Sequence, residues 1–92
     1  MPRWLAIGTA DGWDNPEKFR EQMAATKNWR PDARTTITTV LHLGDGKLLA
    51  ECHAPSQDAF DAWLEQKGWN IESITPIQQI AKTGSIWDGQ NP

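Results

Sequence analysis

Asp45-Gly46, set between Leu43 and Leu48, constrains this chain more than any other pair of residues. A tight primed β-turn needs positive φ at both central positions, and Asp-Gly between apolar runs is the strongest short-range hairpin signal. With Asp45 and Gly46 as the two loop residues, Gly44 lies opposite Lys47, His42 opposite Leu49, Val40 opposite Glu51 and Thr38 opposite His53. Side chains alternate along a strand. One face of the expected ribbon therefore carries Ile37, Thr39, Leu41, Leu43, Leu48, Ala50, Cys52 and Ala54, and reads as a core face. The other carries Thr38, Val40, His42, Leu49, Glu51 and His53, mixing apolar with titratable groups, and any chemistry is expected near it.

A chain of 92 residues supports one domain with a single core, too small to bury a large share of its surface, so modest stability and self-association are expected. Nine basic and twelve acidic residues give a net charge of −3 without a Lys or Arg cluster. That balance argues against nucleic acid or an anionic membrane as a partner. No apolar run reaches the ~18 residues of a membrane span. Met1-Pro2-Arg3 leads into a strand without a signal-peptide pattern, so a soluble, cytoplasmic protein is expected. The lone Cys52 has no internal disulfide partner, which fits a reducing compartment.

Six elements follow along the chain. Residues 3–9 form a short, largely apolar strand with Gly8 near its end. Asn15-Pro16-Glu17 starts a helix, with an Asn cap, proline at the first helical position and an acid at the positive end of the dipole. This helix is expected to reach Asn28, with Phe19 and Met23 as its core stripe. Pro31 blocks continuation. Strands over 34–43 and 47–54 make the hairpin. Ser56 then caps a helix over 57–67, whose Ala59, Phe60, Trp63 and Leu64 form a broader stripe closed by Gly68. A last strand is expected over 74–82, with Pro76 tolerated near its start or on a sheet edge. Lys27-Asn28-Trp29 and Lys67-Gly68-Trp69 echo each other at the two helix ends.

This order, β-α-β-β-α-β, defines an α+β fold, a ferredoxin-like sandwich with two helices on one face of a four-stranded antiparallel sheet. Right-handed crossovers place the first and third strands in the middle. The uncovered face holds Val40, Leu49, either Trp4 with Ala6 or Leu5 with Ile7, and Ile77 or Ile80. An apolar face of that extent marks an interface, and twofold pairing of sheet on sheet, a homodimer, closes it. Residues 1–82 form the domain. The tail over 83–92, with Ile86 and Trp87, is expected to strap across the second subunit.

The strand order, the loop and helix after a first strand ending in small residues, the segment ECHAPSQDAFDAWL (51–64) and SITPIQQI (73–80) resemble small bacterial proteins of the dimeric α+β barrel superfamily. The resemblance implies a homodimer whose two sheets form a barrel. Its members include cofactor-independent monooxygenases acting on polycyclic phenols, haem-degrading enzymes, muconolactone isomerase-like enzymes, stress-response proteins and small metal-binding proteins. Function is set by the site, so membership alone selects none of these.

His42 and Glu51 are the candidate catalytic pair. In the expected register they lie diagonally, at about 7–8 Å between backbone positions, within side-chain reach. That geometry suits a general base with an orienting carboxylate, or a cross-strand hydrogen bond inside a dimer interface. His53 lies roughly 13 Å from His42 at ~3.3 Å per residue, too far for one metal ion to join them. Cys52 and His53 point to opposite faces unless a bulge intervenes, and Cys52 reads as a small buried hydrophobe. No Cys-x-x-Cys or His-Glu-x-x-His spacing occurs, so no metal ligands are assigned. No Gly-rich phosphate loop or other cofactor motif is present either.

Trp4, Trp63 and Trp69 read as core. Trp13 and Trp29 flank the first helix at the mouth of a cleft, where with His53 they would wall a small aromatic or apolar ligand; equally, the rings could seal loops onto the domain. The reading is thus a homodimer that binds such a ligand. A cofactor-free monooxygenase or isomerase using His42, and a small metal-binding protein, are the alternatives.

Overall fold

A computed structural model describes residues 2–13 and 15–88. Strand β1 (Arg3–Ala10) leads to helix α1 (Pro16–Ala24), the short helix α2 (Thr26–Trp29), the hairpin β2 (Thr36–His42) and β3 (Leu48–His53), helix α3 (Gln57–Gln66) and strand β4 (Trp69–Pro76). These strands make a four-stranded sheet in the order β2-β3-β1-β4, antiparallel throughout, so β1 and β3 are central and β2 and β4 are edges. The chain is therefore of the α+β class. No helix among the described residues is long and apolar enough to cross a membrane.

One face of the sheet is buried under the helices. Trp4, Ala6 and Ala10 of β1, Leu48, Ala50 and Cys52 of β3, and Ile37 of β2 pack with Phe60, Trp63 and Leu64 of α3, while Phe19 and Met23 of α1 lie partly buried against them. Trp13, Trp63 and Trp69 meet with ring centroids 5.5 to 6.3 Å apart. The two Trp13 contacts are edge-to-face, the arrangement aromatic quadrupoles favour.

The expected first helix is broken at Ala25, whose backbone is extended (ψ 115°). Side chains of the next turn take over carbonyls that the break leaves open: Asn28 Nδ2 donates to the Gln22 carbonyl at 2.6 Å and Trp29 Nε1 to that of Met23. The N-terminus matches its signal, since Asn15 Oδ1 accepts from the Glu17 and Lys18 N–H groups. Ser56 stands at the N-cap of α3 but makes no side-chain capping bond.

The last strand begins at Trp69, directly after Gly68 (φ +74°), and ends at Pro76 instead of running over 74–82. Residues expected to continue it form a separate hairpin of β5 (Gln79–Lys82) with β6 (Ser85–Asp88), turned at Gly84 (φ +79°). Part of the expected tail thus pairs within its own chain, and 89–92 lie outside the described residues.

The central hairpin departs most from expectation. Its loop has three residues, Gly44 to Gly46: Leu43 N bonds to Lys47 O at 2.8 Å and Gly46 N to Leu43 O at 3.1 Å. Gly46 has φ +84°, whereas no non-glycine residue described has positive φ, so Asp45 does not adopt the primed-turn conformation. A three-residue loop places only glycine in the left-handed region, where a residue with a Cβ is penalised by about 1–2 kcal/mol. Register moves by one: His42 lies opposite Leu48, Leu41 opposite Leu49 and Val40 opposite Ala50. A bulge between Ile37 and Thr39 then moves it again, so Ile37 meets Cys52. Between the two irregularities the faces are exchanged. Val40 and His42 turn to the helix side, while Thr39 and Leu41 turn outward, with Leu41 46% exposed.

A second bulge, between Ile7 and Gly8, brings β4 close to β1. A Cβ on Gly8 would lie 2.2 Å from the Asn70 carbonyl oxygen, whereas Gly44 has open space around it. Gly8→Ala is expected to lower the unfolding free energy by about 1–3 kcal/mol. Gly44→Ala should stay within about 0.5 kcal/mol of the parent, both read from urea denaturation.

Candidate functional site

The uncovered face of the sheet is apolar at one end and polar at the other. Ile7, Leu49 and Leu41 are consecutive cross-strand neighbours running from β1 through β3 to β2, with Leu5 two residues along from Ile7. Leu5, Ile7 and Leu49 are each partly exposed. Toward the opposite end Arg3, His53 and Thr36 form a parallel row.

Glu51 sits between these rows, only 9% exposed. Arg3 Nη1 lies 3.6 Å from Glu51 Oε1, and the Thr38 hydroxyl donates to the same carboxylate while lying 3.2 Å from the Glu51 carbonyl oxygen. The bulge makes this possible: Thr38 is the extra residue of β2, freed from the ladder to turn toward Glu51. A cation and a hydroxyl together stabilise the carboxylate, so the arrangement holds charge in place on a largely apolar face.

His42 is not part of this group. It packs on the helix side against Phe19, with ring centroids 5.7 Å apart, whereas Glu51 faces the other way. The expected acid–base pair is therefore not brought together, because the three-residue loop reverses His42. His53 does share the open face with Glu51, beside Arg3. Trp13 is 5% exposed inside the aromatic cluster, not at a cleft mouth. Trp29 is half-buried, its N–H committed to the Met23 carbonyl. Trp13 thus joins the aromatic cluster, and Trp29 ties α2 to α1. Among the described residues no three His, Cys, Asp or Glu side chains gather closely enough to hold a metal ion.

A concavity lies elsewhere, between α2, the following loop and α3. One lobe, of about 480 Å³, is lined by Pro31, Asp32, Ala59, Ala62, Trp63 and Glu65 together with Gln66. A second, of about 310 Å³, is lined by Lys27, Asn28 and Lys67, and shares Pro31, Trp63 and Gln66 with the first. Asn28 is 3% exposed. Its Nδ2 is used by Gln22 and its carbonyl accepts from Trp63 Nε1 at 3.0 Å, but its Oδ1 has no hydrogen-bond partner. Asp32 is held in a local turn by bonds from the Arg34 N–H and Thr35 Oγ1, and the Arg34 N–H above all keeps its carboxyl below the usual range. None of these residues was a candidate on sequence grounds. The one signal was the echo of Lys27-Asn28-Trp29 in Lys67-Gly68-Trp69, which brings both lysines to the same lobe.

Comparison with known proteins finds no matching family, no matching curated protein and no matching solved structure.

Cys52 is fully buried, and burial above all, with the Asp32 charge adding to it, pushes its thiol up to about 12. Since the folded value exceeds the ordinary 9.0, this group's contribution to stability is intact below pH 9 and is lost as pH rises toward about 12. Iodoacetamide at mildly alkaline pH is expected to leave native Cys52 unmodified and to label it fully in urea, as read by intact mass.

Proposed function

We propose that the chain acts as a homodimer of ferredoxin-like subunits, with the two open sheet faces packed together in a dimeric α+β barrel, and that the dimer binds a small aromatic or apolar molecule. The observation that carries this reading is the solvent-facing row Ile7, Leu49 and Leu41 with Leu5 beside it. Large aliphatic side chains across three strands gain about 25 cal/mol per Å² when water is excluded, and a self-complementary twofold contact excludes it from both copies. The Arg3–Glu51 pair supports the same reading. Its charges are already matched within the subunit and partly desolvated, which lowers the cost of covering them.

The ligand half of the proposal draws support from the concavity along α3, whose apolar wall consists of Pro31, Ala59, Ala62 and Trp63. Its two lobes fall within the size range of small-molecule sites, about 300–1,000 Å³. The buried, unreactive Cys52 fits a reducing, cytoplasmic setting.

Sedimentation velocity at micromolar concentration tests the assembly. The parent chain is expected to sediment as a dimer. Leu49→Lys and Leu41→Lys are expected to sediment as monomers with unchanged far-ultraviolet circular dichroism, since both side chains leave the core face untouched. A monomeric parent, or variants that dimerise as well as the parent, rejects the reading.

A further inference from the structure

Among the described residues two Asp-Gly steps occur, Asp11-Gly12 and Asp45-Gly46. Such a step carries its own reaction. The backbone nitrogen of the glycine, losing its proton, attacks the aspartate Cγ; a Cγ–N bond forms and one carboxyl oxygen leaves as water, closing a five-membered succinimide. Water then adds to one of the two ring carbonyls. Opening at Cγ restores aspartate, whereas opening at the main-chain carbonyl leaves isoaspartate, whose chain runs on through Cβ and Cγ. No oxidant or cofactor enters, and the final mass equals the initial one. Glycine favours the closure because it has no Cβ to obstruct it and reaches backbone conformations closed to other residues.

The two steps sit in different surroundings. Gly12 is followed directly by the buried Trp13, whose ring meets Trp63 and Trp69 and whose N–H donates to the Ala10 carbonyl at 3.1 Å. Lys18 lies so close that a Cβ on Gly12 would stand 3.3 Å from its Cδ. Ring closure at Asp11 therefore pulls on the aromatic core. Asp45 is exposed, and a Cβ placed on Gly44 or Gly46 meets nothing within 4 Å. Its Oδ1 accepts from the Lys47 N–H at 3.0 Å, and the ring closed by that bond contains both the Asp45 Cγ and the Gly46 nitrogen, the two atoms that must join. The Gly46 N–H donates to the Leu43 carbonyl at 3.1 Å, a bond that has to open first. Opening costs least in exposed loops such as this one. We propose that Asp45 is a site of spontaneous backbone modification, where the folded chain converts aspartate to isoaspartate while the core holds Asp11 back. The product has one more main-chain atom between Gly44 and Gly46 and a free α-carboxylate, the chemistry that isoaspartyl carboxyl methyltransferases recognise.

Peptide mapping after warm incubation of the folded protein in buffer made with heavy-oxygen water reads both steps at once. Each ring opening installs one solvent oxygen, and electron-transfer fragmentation separates isoaspartate from aspartate. Asp45 is expected to acquire label and isoaspartate at a rate within about tenfold of that in guanidinium chloride, the factor one net hydrogen bond supplies. Asp11 is expected to lag Asp45 by about tenfold or more in the folded protein, because the ring contacts of Trp13 must yield, and to match it when unfolded. Asp45→Glu, which would need a six-membered ring, is expected to abolish the product. Asp45→Asn is expected to reach the same succinimide faster, with ammonia leaving in place of water. Circular dichroism should be unchanged in both variants before incubation. Equal rates at Asp11 and Asp45 in the folded chain, or labelling of Asp45 only in guanidinium chloride, overturns the inference.

Discussion

The hydrogen bond from the Trp63 indole to the Asn28 carbonyl joins the two helical segments, and much of the structure is arranged around it. Trp63 lies on α3, and its ring meets Trp13, Trp69 and Phe60. Asn28 lies on α2, thirty-five residues earlier in the chain. Aromatic pairs contribute about 0.5–1.5 kcal/mol each beyond area burial, and one net hydrogen bond about 0.5–1.5 kcal/mol, so the ring contacts supply most of the energy. Direction comes from the bond. It ties the polar edge of the indole to the backbone of α2 and so sets how far that helix stands from α3, which is the width of the groove between them.

The break at Ala25 belongs to the same arrangement. A continuous helix to Asn28 would have used the Gln22 and Met23 carbonyls for its own backbone N–H groups. Because the chain turns, Asn28 Nδ2 and Trp29 Nε1 reach back to those carbonyls instead. Two side chains are thereby committed to holding α2 against α1, and Asn28 has its carbonyl and its amide nitrogen used while its side-chain oxygen is not. A polar group enclosed in this way by structural bonds on its other atoms is rigidly placed.

Much of the layering was legible from the chain. The Asn15-Pro16 helix start, the stripe Phe60, Trp63 and Leu64, and the central position of the first and third strands follow from capping chemistry, periodicity and crossover handedness. The exchange of faces in β2 was not, because Asp45-Gly46 also fits a three-residue loop once Gly44 is counted in, and the choice rests on which residue takes positive φ. That single step carried His42 from one side of the sheet to the other and dissolved its pairing with Glu51. Trp69 was legible as a core residue, but the strand it opens was not, since Pro76 drew attention away from the run before it. The Thr38 bulge and the Asn28 groove depend on contacts between segments far apart in sequence, which no local pattern reports.

The loop keeps Gly44 out of the ladder and the bulge keeps Thr38 out, so the stretch between them, Thr39 to Leu43, is set by its own pairs with β3, from Thr39 opposite Glu51 to His42 opposite Leu48. Removing Thr38 or Gly44 would close up the surplus and leave those pairs, and the meeting of Ile37 with Cys52, as they are. What would invert the stretch is a slip by one place, with Gly44 drawn into the strand and Thr38 paired, which turns Val40 out of the interior as it turns Leu41 in. The two surplus residues are thus where this hairpin's length can drift across a lineage while interior and exterior both keep their side chains.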